Sequence, residues 1–280
     1  MSRVFVNTMN RLMLPKLAMP LVPVGFTILF SLVSLLIVCF LCMPIIGLFT
    51  SITLDHLYAA LRSPHLRSGV ALSLFTSIIS ISLIVMLGTP LAYMLARSSF
   101  RGKQLLEVLV DLPMVIPPSV AGIGLILAFG RKGLIGSWLA DYGITISFTV
   151  VAVIFAQVFI AAPFYIRSAK EGFKDSSKEM EAMARSLGAS WWRSFSQVTL
   201  PLARPYLLSG MLTSWARALG EFGATIMFAG NFLGRTETLP LAIYSAMNED
   251  LGVAIVLANL LLVMSLLLMA TVRMLAVERR

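Results

Sequence analysis

Charge is scarce in this sequence. Asp, Glu, Lys and Arg supply 12% of the 280 residues, about half the roughly 25% of a soluble globular domain. With 58% of its residues hydrophobic, the chain has too little polar surface to stay dissolved alone, which excludes a soluble enzyme. Cysteine and histidine are as sparse, at two each. Cys39 and Cys42 have the spacing of a redox or metal pair, but they lie inside an apolar run with no second pair and no nearby histidine, so apolar packing is expected. His56 and His65 stand isolated in one short segment. No serine with a histidine base and no metal-binding cluster falls within the apolar runs, so no catalytic or metal site is expected.

What is present is a series of apolar runs near or above 20 residues, the length that crosses hydrocarbon as a helix. They fall at 23–49, 68–96, 105–129, 146–166, 206–230 and 251–275. The runs do not alternate apolar with polar residues, so helices are preferred over a β-barrel. The first run is too long for the core of a secretion signal and lacks a cleavage site, which makes it a retained span. The expectation is an all-α integral membrane protein of about six transmembrane helices. Its parts are an N-terminal segment 1–22, a membrane domain 23–275 with a loop at 167–205, and a tail 276–280.

The formal net charge is +9, and its placement gives the orientation. Sixteen Lys and Arg fall on the side that holds both termini and the 167–205 loop, against five on the other. The positive-inside rule puts both termini and that loop in the cytoplasm. The basic balance therefore calls for membrane lipid and not for nucleic acid.

The 167–205 loop is the largest soluble feature. Ser176 and Glu179 fit a capping box, and Met180, Met183, Ala184 and Leu187 then recur at helical spacing. Gly188 is placed to end that helix. A second helix restarts near Ser190 with Trp191, Trp192, Phe195 and Val198 on it, and Leu200 and Pro201 close the segment. Physics leaves two readings of this hairpin: one resting on lipid headgroups, which favour Trp, Lys and Arg, and one seated in a partner.

Charges inside the spans are few and costly. Arg217 and Glu221 lie in the fifth run, where each costs about 2.5–3.5 kcal/mol to insert. Their spacing of four allows them to pair, and Ser214 and Thr225 extend a polar stripe. One reading is a buried pair that fixes packing beside the small residues Ala216, Gly220 and Gly223; the other sets the stripe of Ser214, Arg217, Gly220, Glu221 and Thr225 against a translocation path or gate. Pro113, Pro117 and Pro118 break or bend the third span, and Glu107 and Asp111 lie near its cytoplasmic start. The segment 231–250 is an expected outer loop.

Gly188 is followed by nine residues and then Val198-Thr199-Leu200-Pro201, which resembles the cytoplasmic signature of permease subunits of ATP-binding-cassette importers. There Glu-Ala-Ala precedes the glycine; here the positions read Ala182, Met183, Ala184, with Glu181 one place early. The stretches Trp215 to Thr225 and Asp111 to Gly122, with Phe129 to Gly133, look like the molybdate and tungstate subgroup. The resemblance implies a type I importer permease fold in a prokaryotic plasma (inner) membrane. It implies ATPase coupling through Glu181, Ala182, Met183, Ala184, Leu187, Gly188, Ala189, Leu200 and Pro201. Its implied partners are a second copy, two ATPase subunits and an external oxyanion-binding protein. The chain has no G-x-x-x-x-G-K-[ST] phosphate loop, so no cofactor is expected here, and ATP and Mg belong to the ATPase. Sulfate or thiosulfate is the alternative cargo. An ion-coupled secondary transporter, with Arg217, Glu221 and Asp111 as a relay, is the alternative of another class.

Overall fold

A computed structural model describes residues 24–176 and 178–277; the expected N-terminal segment 1–22 and the last three residues of the tail lie outside them. By internal contacts the chain divides at Ser51. The first unit contributes one described helix, α1 (Val24–Thr50), which carries neither acid nor base in its first or last turn. Its side chains face outward on every side, from Phe26 to Phe49, as suits a helix solvated by lipid. Cys39 and Cys42 are free and exposed on it.

The second unit is helical among its described residues. In chain order it has α2 (Leu54–Arg62), α3 (Pro64–Arg97), α4 (Lys103–Asp111), a 3-10 turn (Leu112–Met114), α5 (Pro118–Phe129), α6 (Gly136–Asp141) and α7 (Val150–Asp175). Then come α8 (Lys178–Ser186), α9 (Trp191–Ser194), a π turn (Phe195–Thr199), α10 (Leu200–Leu219), α11 (Gly223–Ala229), α12 (Leu239–Glu249) and α13 (Leu251–Val277).

Among the described residues, four helices are long and apolar enough to cross a membrane: α1, α3, α7 and α13. A fifth arises if the bent pair around Pro117 counts as one span. Two expected spans thus take a different form. The third turns through 118° between residues 115 and 118, because Pro113 lies in the 3-10 turn, Pro117 caps α5 with extended ψ, and Pro118 opens α5. Two adjacent prolines cannot donate the amide bonds that would continue the helix. The fifth is divided: α10 stops at Leu219, Gly220 and Phe222 leave helical geometry, and α11 restarts at Gly223. At 20 residues, α10 is still about 30 Å long, but Arg204 and Arg217 keep it from being apolar throughout.

The core is built on α7, which is packed by α3 and α10. Ile84, Leu95, Tyr165, Phe173 and Ala203 are buried together. Backbones approach closely where side chains are small: a Cβ on Gly88 would stand 3.0 Å from Tyr165, and one on Gly210 would stand 2.7 Å from Ser168. In lipid such small-residue contacts and interhelical hydrogen bonds replace the hydrophobic drive. Ser80 donates to Gln157 at 2.8 Å, and the Gln157 amide donates to Thr76 at 3.2 Å. The Trp215 indole donates to Ser77 at 3.0 Å. The polar groups inside these spans therefore act as bonds between α3, α7 and α10.

Outside the spans, segment 231–250 is more ordered than a loop. Leu239, Leu241 and Ala242 are fully buried in α12, and the Leu239 amide donates to Ser73 of α3 at 2.6 Å. His65, at the first turn of α3, sets Nδ1 2.9 Å from Glu237 and Nε2 3.2 Å from Glu249. Ser245 donates to the other Glu237 oxygen at 2.9 Å and receives a bond from Asn231. The two histidines looked isolated in sequence; folding gives His65 two carboxylate partners.

The crossing of α5 and α11 depends on glycine. A Cβ on Gly122 would lie 2.6 Å from Met227 Cβ and 2.9 Å from the Ala224 carbonyl, whereas one on Gly124 meets nothing within 4 Å. Gly122→Ala is expected to destabilise the protein by about 1–3 kcal/mol through overpacking. Gly124→Ala is expected to be neutral or to stabilise by about 0.5–1 kcal/mol through helix propensity. Thermal unfolding of the two purified variants in one detergent checks the opposite signs.

Candidate coupling and translocation site

The hairpin at 178–199 owes its shape to local rules. α8 ends on Gly188, whose φ of +89° is the left-handed conformation. The Gly188 amide donates to the Arg185 carbonyl and the Ala189 amide to the Ala184 carbonyl, the paired bonds of a Schellman stop. Ser190 caps α9 by accepting from the Arg193 amide at 3.3 Å. Ser176 does something other than the expected capping box. It closes α7, its hydroxyl donates to the Phe173 carbonyl, and it accepts from Arg97.

The apolar stripe on α8 points away from the rest of the fold. Met183 is 65% exposed and Leu187 84% exposed, and Met180 is exposed as well. Ala182 and Gly188 are exposed beside them, and Ala184 and Ala189 are half-buried. An apolar face projecting from the end of a bundle marks an interaction surface. Leu200 and Pro201 follow as the first residues of α10, so the hairpin continues without a loop into a 20-residue helix.

Glu181 faces the other way. Its side chain is 13% exposed and lies 3.3 Å from the Arg97 guanidinium. Tyr93 donates to Glu181 Oε1 at 3.3 Å and Thr199 to Oε2 at 3.1 Å. Ser194 donates to the Glu181 carbonyl. Arg97 also donates to the carbonyl and hydroxyl of Ser176 at 3.1 and 2.8 Å. Around this cluster Tyr93 meets the rings of Phe173, Trp191 and Phe195 edge-on. Sequence reasoning missed Arg97, Tyr93, Ser176 and Thr199 as site residues, and the only signal was the basic charge in the last turn of α3.

At the far end of α10 lies the charged pair. Arg217 Nη1 stands 2.9 Å from Glu221 Oε2, with the arginine side chain 31% exposed and the glutamate 1%. The N–H is not aligned for a hydrogen bond to that oxygen, so the contact is ionic. The other carboxylate oxygen, Oε1, accepts from the Ala224 amide at 2.9 Å and satisfies a donor of the first turn of α11. Glu221 is thus what allows the helix to break at depth, since an amide freed there must be paired.

The expected stripe does not survive as one face. Ser214 is buried and donates to the Ala161 carbonyl of α7 at 2.7 Å, and Thr225 lies across the break, fully buried in α11. Only Arg217 and Gly220 of the five present surface. Close approach holds the break in place, for a Cβ on Gly223 would lie 2.8 Å from Pro118. The proline bend of the third span and the break of the fifth therefore meet. Glu107 pairs with Lys170 of α7 at 3.4 Å, which settles it as a contact within the chain.

An exposed apolar face on a hairpin continuous with α10, and a broken fifth run beside a proline bend, fit a membrane permease, and the chain belongs to the family of binding-protein-dependent transport system inner membrane components, whose model matches residues 88–280. It is 40% identical over 234 residues to the molybdenum transport system permease protein ModB of Mycobacterium tuberculosis, covering 82% of this chain and 87% of that one. It is 36% identical to the probable transport system permease protein NifC of Clostridium pasteurianum, covering 82% and 81%. The sulfate transport system permease protein CysT of Escherichia coli is 33% identical, with 89% and 91% covered. The fold matches a bacterial ABC transporter involved in import of the polysaccharide alginate, with a TM-score of 0.71 at 17% identity over 90% of this chain and 96% of that one. The type I importer permease fold follows.

The charged pair makes an asymmetric prediction. Arg217→Ala leaves a buried carboxylate without its cation and is expected to cost about 3–5 kcal/mol. Glu221→Gln keeps an acceptor for the Ala224 amide and leaves a cation that already reaches solvent, so its cost is expected to be smaller. Thermal midpoints of the two purified variants, measured side by side, check the order.

Proposed function

We propose that this permease carries a tetrahedral oxyanion, molybdate or tungstate, into the cell. It does so as one of two identical chains driven by two ATP-binding-cassette ATPase subunits and fed by an external oxyanion-binding protein. The observation that carries the reading is the exposed apolar face around Gly188, joined through Pro201 and about 30 Å of α10 to the break beside Arg217. A handle continuous with a rod turns a push on one into displacement at the other. Both termini and the hairpin lie in the cytoplasm, and membrane lipid surrounds the spans. ATP and Mg belong to the ATPase, and this chain contributes no catalytic residue to their chemistry.

In this reading, ATP binding draws the two hairpins together. The α10 rods swing, the path opens outward to receive the anion, and hydrolysis resets it. Arg217 suits passage better than storage. Its charge is offset by Glu221 at 2.9 Å, so an anion meets weak attraction, and a site that conducts must also let its cargo go. The choice of molybdate over sulfate is supported by identities of 38–42% to molybdenum permeases against 33–38% to sulfate permeases, two ranges that touch. Sulfate or thiosulfate is the second reading, favoured by the E. coli relative's coverage of 89% of the chain.

Two measurements test this. A Cβ on Gly188 would meet nothing within 4 Å of this chain, although its φ of +89° strains any other residue by about 1–2 kcal/mol. Gly188→Val is therefore expected to insert normally but to lose coupled uptake in reconstituted vesicles, and native coupling in it would refute the docking role. For the cargo, radiolabelled molybdate and tungstate are expected to enter vesicles holding the assembled complex in preference to sulfate. Preferential sulfate uptake would replace the substrate and leave the architecture standing.

A further inference from the structure

The chain joins the hairpin covalently to α7 on one side and to α10 on the other. It does not join it to α3. Yet the last turn of α3 is bound to the hairpin more densely than any peptide link requires: Arg97 bridges Glu181 of α8 and Ser176 at the end of α7. Tyr93, one turn back, holds the same carboxylate and wedges among Phe173, Trp191 and Phe195. Arg97 and Glu181 side chains are 10% and 13% exposed, so the pair is shielded from salt and water and holds a fixed geometry. The π turn at Phe195–Thr199 supplies Thr199 as a further donor to the same carboxylate.

At its opposite end α3 is pinned again. His65 lies between Glu237, which is 2% exposed, and Glu249 at the end of α12. Between the two ends run 34 residues of helix, about 50 Å. Bonds to α7 at Ser80–Gln157 and Thr89–Tyr165 steady the helix, the second beside Pro90. One helix thus bonds to the hairpin through Arg97 and to the segment around α12 through His65.

We propose that α3 is a transmission rod: the Arg97–Glu181 pair takes up motion of the docking hairpin, and the His65 contact with Glu237 and Glu249 delivers it to the outer segment around α12. This rests on the reading of the hairpin as the ATPase handle. Arg97, Glu181 and His65 are positioning residues, since none has to touch the cargo. A coupling of this kind needs both ends to bias one element, and α3 is that element.

The test uses the full chain in complex with its ATPase in vesicles. It carries an environment-sensitive fluorophore at Met247→Cys, a 60% exposed position on α12, with Cys39 and Cys42 replaced by serine. In the native background the probe is expected to respond to ATP. Glu181→Gln is expected to cut that response, and the uptake per ATP hydrolysed, about tenfold, a loss typical of a coupling energy, while the ATPase still co-purifies. Arg97→Met with Glu181→Met removes both charges and avoids the lone buried charge that could unfold either single variant; it is expected to fold and to be equally uncoupled. His65→Gln is expected to silence the probe at 247 while a second probe at Ser186→Cys on the hairpin still responds. A double variant with native uptake per ATP, or with an undiminished response at 247, overturns the proposal. A response at 247 that survives His65→Gln overturns its outer half. If no ATPase co-purifies with the native chain, the handle reading itself has failed and takes the rod with it.

Discussion

Hydrocarbon offers no partner to a peptide N–H or C=O, so each must be satisfied within the protein. Continuous helices meet most of that demand in α1, α3, α7 and α13, although Pro44, Pro90 and Pro163 each withhold one amide from the first three. The two places where the helix stops at depth have to meet it by other means. In α5 two prolines remove the donors that would have gone unpaired. Before α11 the Glu221 carboxylate accepts from the freed Ala224 amide. The charged residue that looked most expensive in the sequence thus supports the irregular backbone beside the bend.

Because both breaks are built from small residues and prolines, they lie against one another: Gly223 against Pro118, and Gly122 against Ala224 and Met227. Arg217 then stands at the edge of the junction, partly exposed and ion-paired. The hairpin of α8 and α9 solves the opposite problem. It keeps large apolar side chains such as Leu187 and Met183 outside the fold, which is unfavourable in water unless another surface covers them. Its rigidity comes from the buried bonds on Glu181, and its reach from direct continuity with α10.

The hairpin's outline was legible because its rules are local. A left-handed residue after the last turn of a helix is easiest for glycine, so Gly188 marked the stop, and the helical spacing of Met180, Met183 and Leu187 marked the face. Which way that face points was not local. Glu181 sits one residue from Met180, and it is held inward by Thr199 together with Arg97 and Tyr93, which arrive from a helix some 85 residues earlier. For the same reason the His65 cluster was invisible, since its partners Glu237 and Glu249 lie 172 and 184 residues away.

The sequence alone settled the class of solvent, the helical state and the approximate run boundaries, because burial in lipid is decided by composition over a window of about 20 residues. It also located the proline bend, because a missing amide is a covalent fact. The 118° turn at that bend, the division of the fifth run at Gly220 and the partners of the buried charges came only from the fold. Those features depend on distances between residues far apart in the chain, which neither periodicity nor propensity encodes.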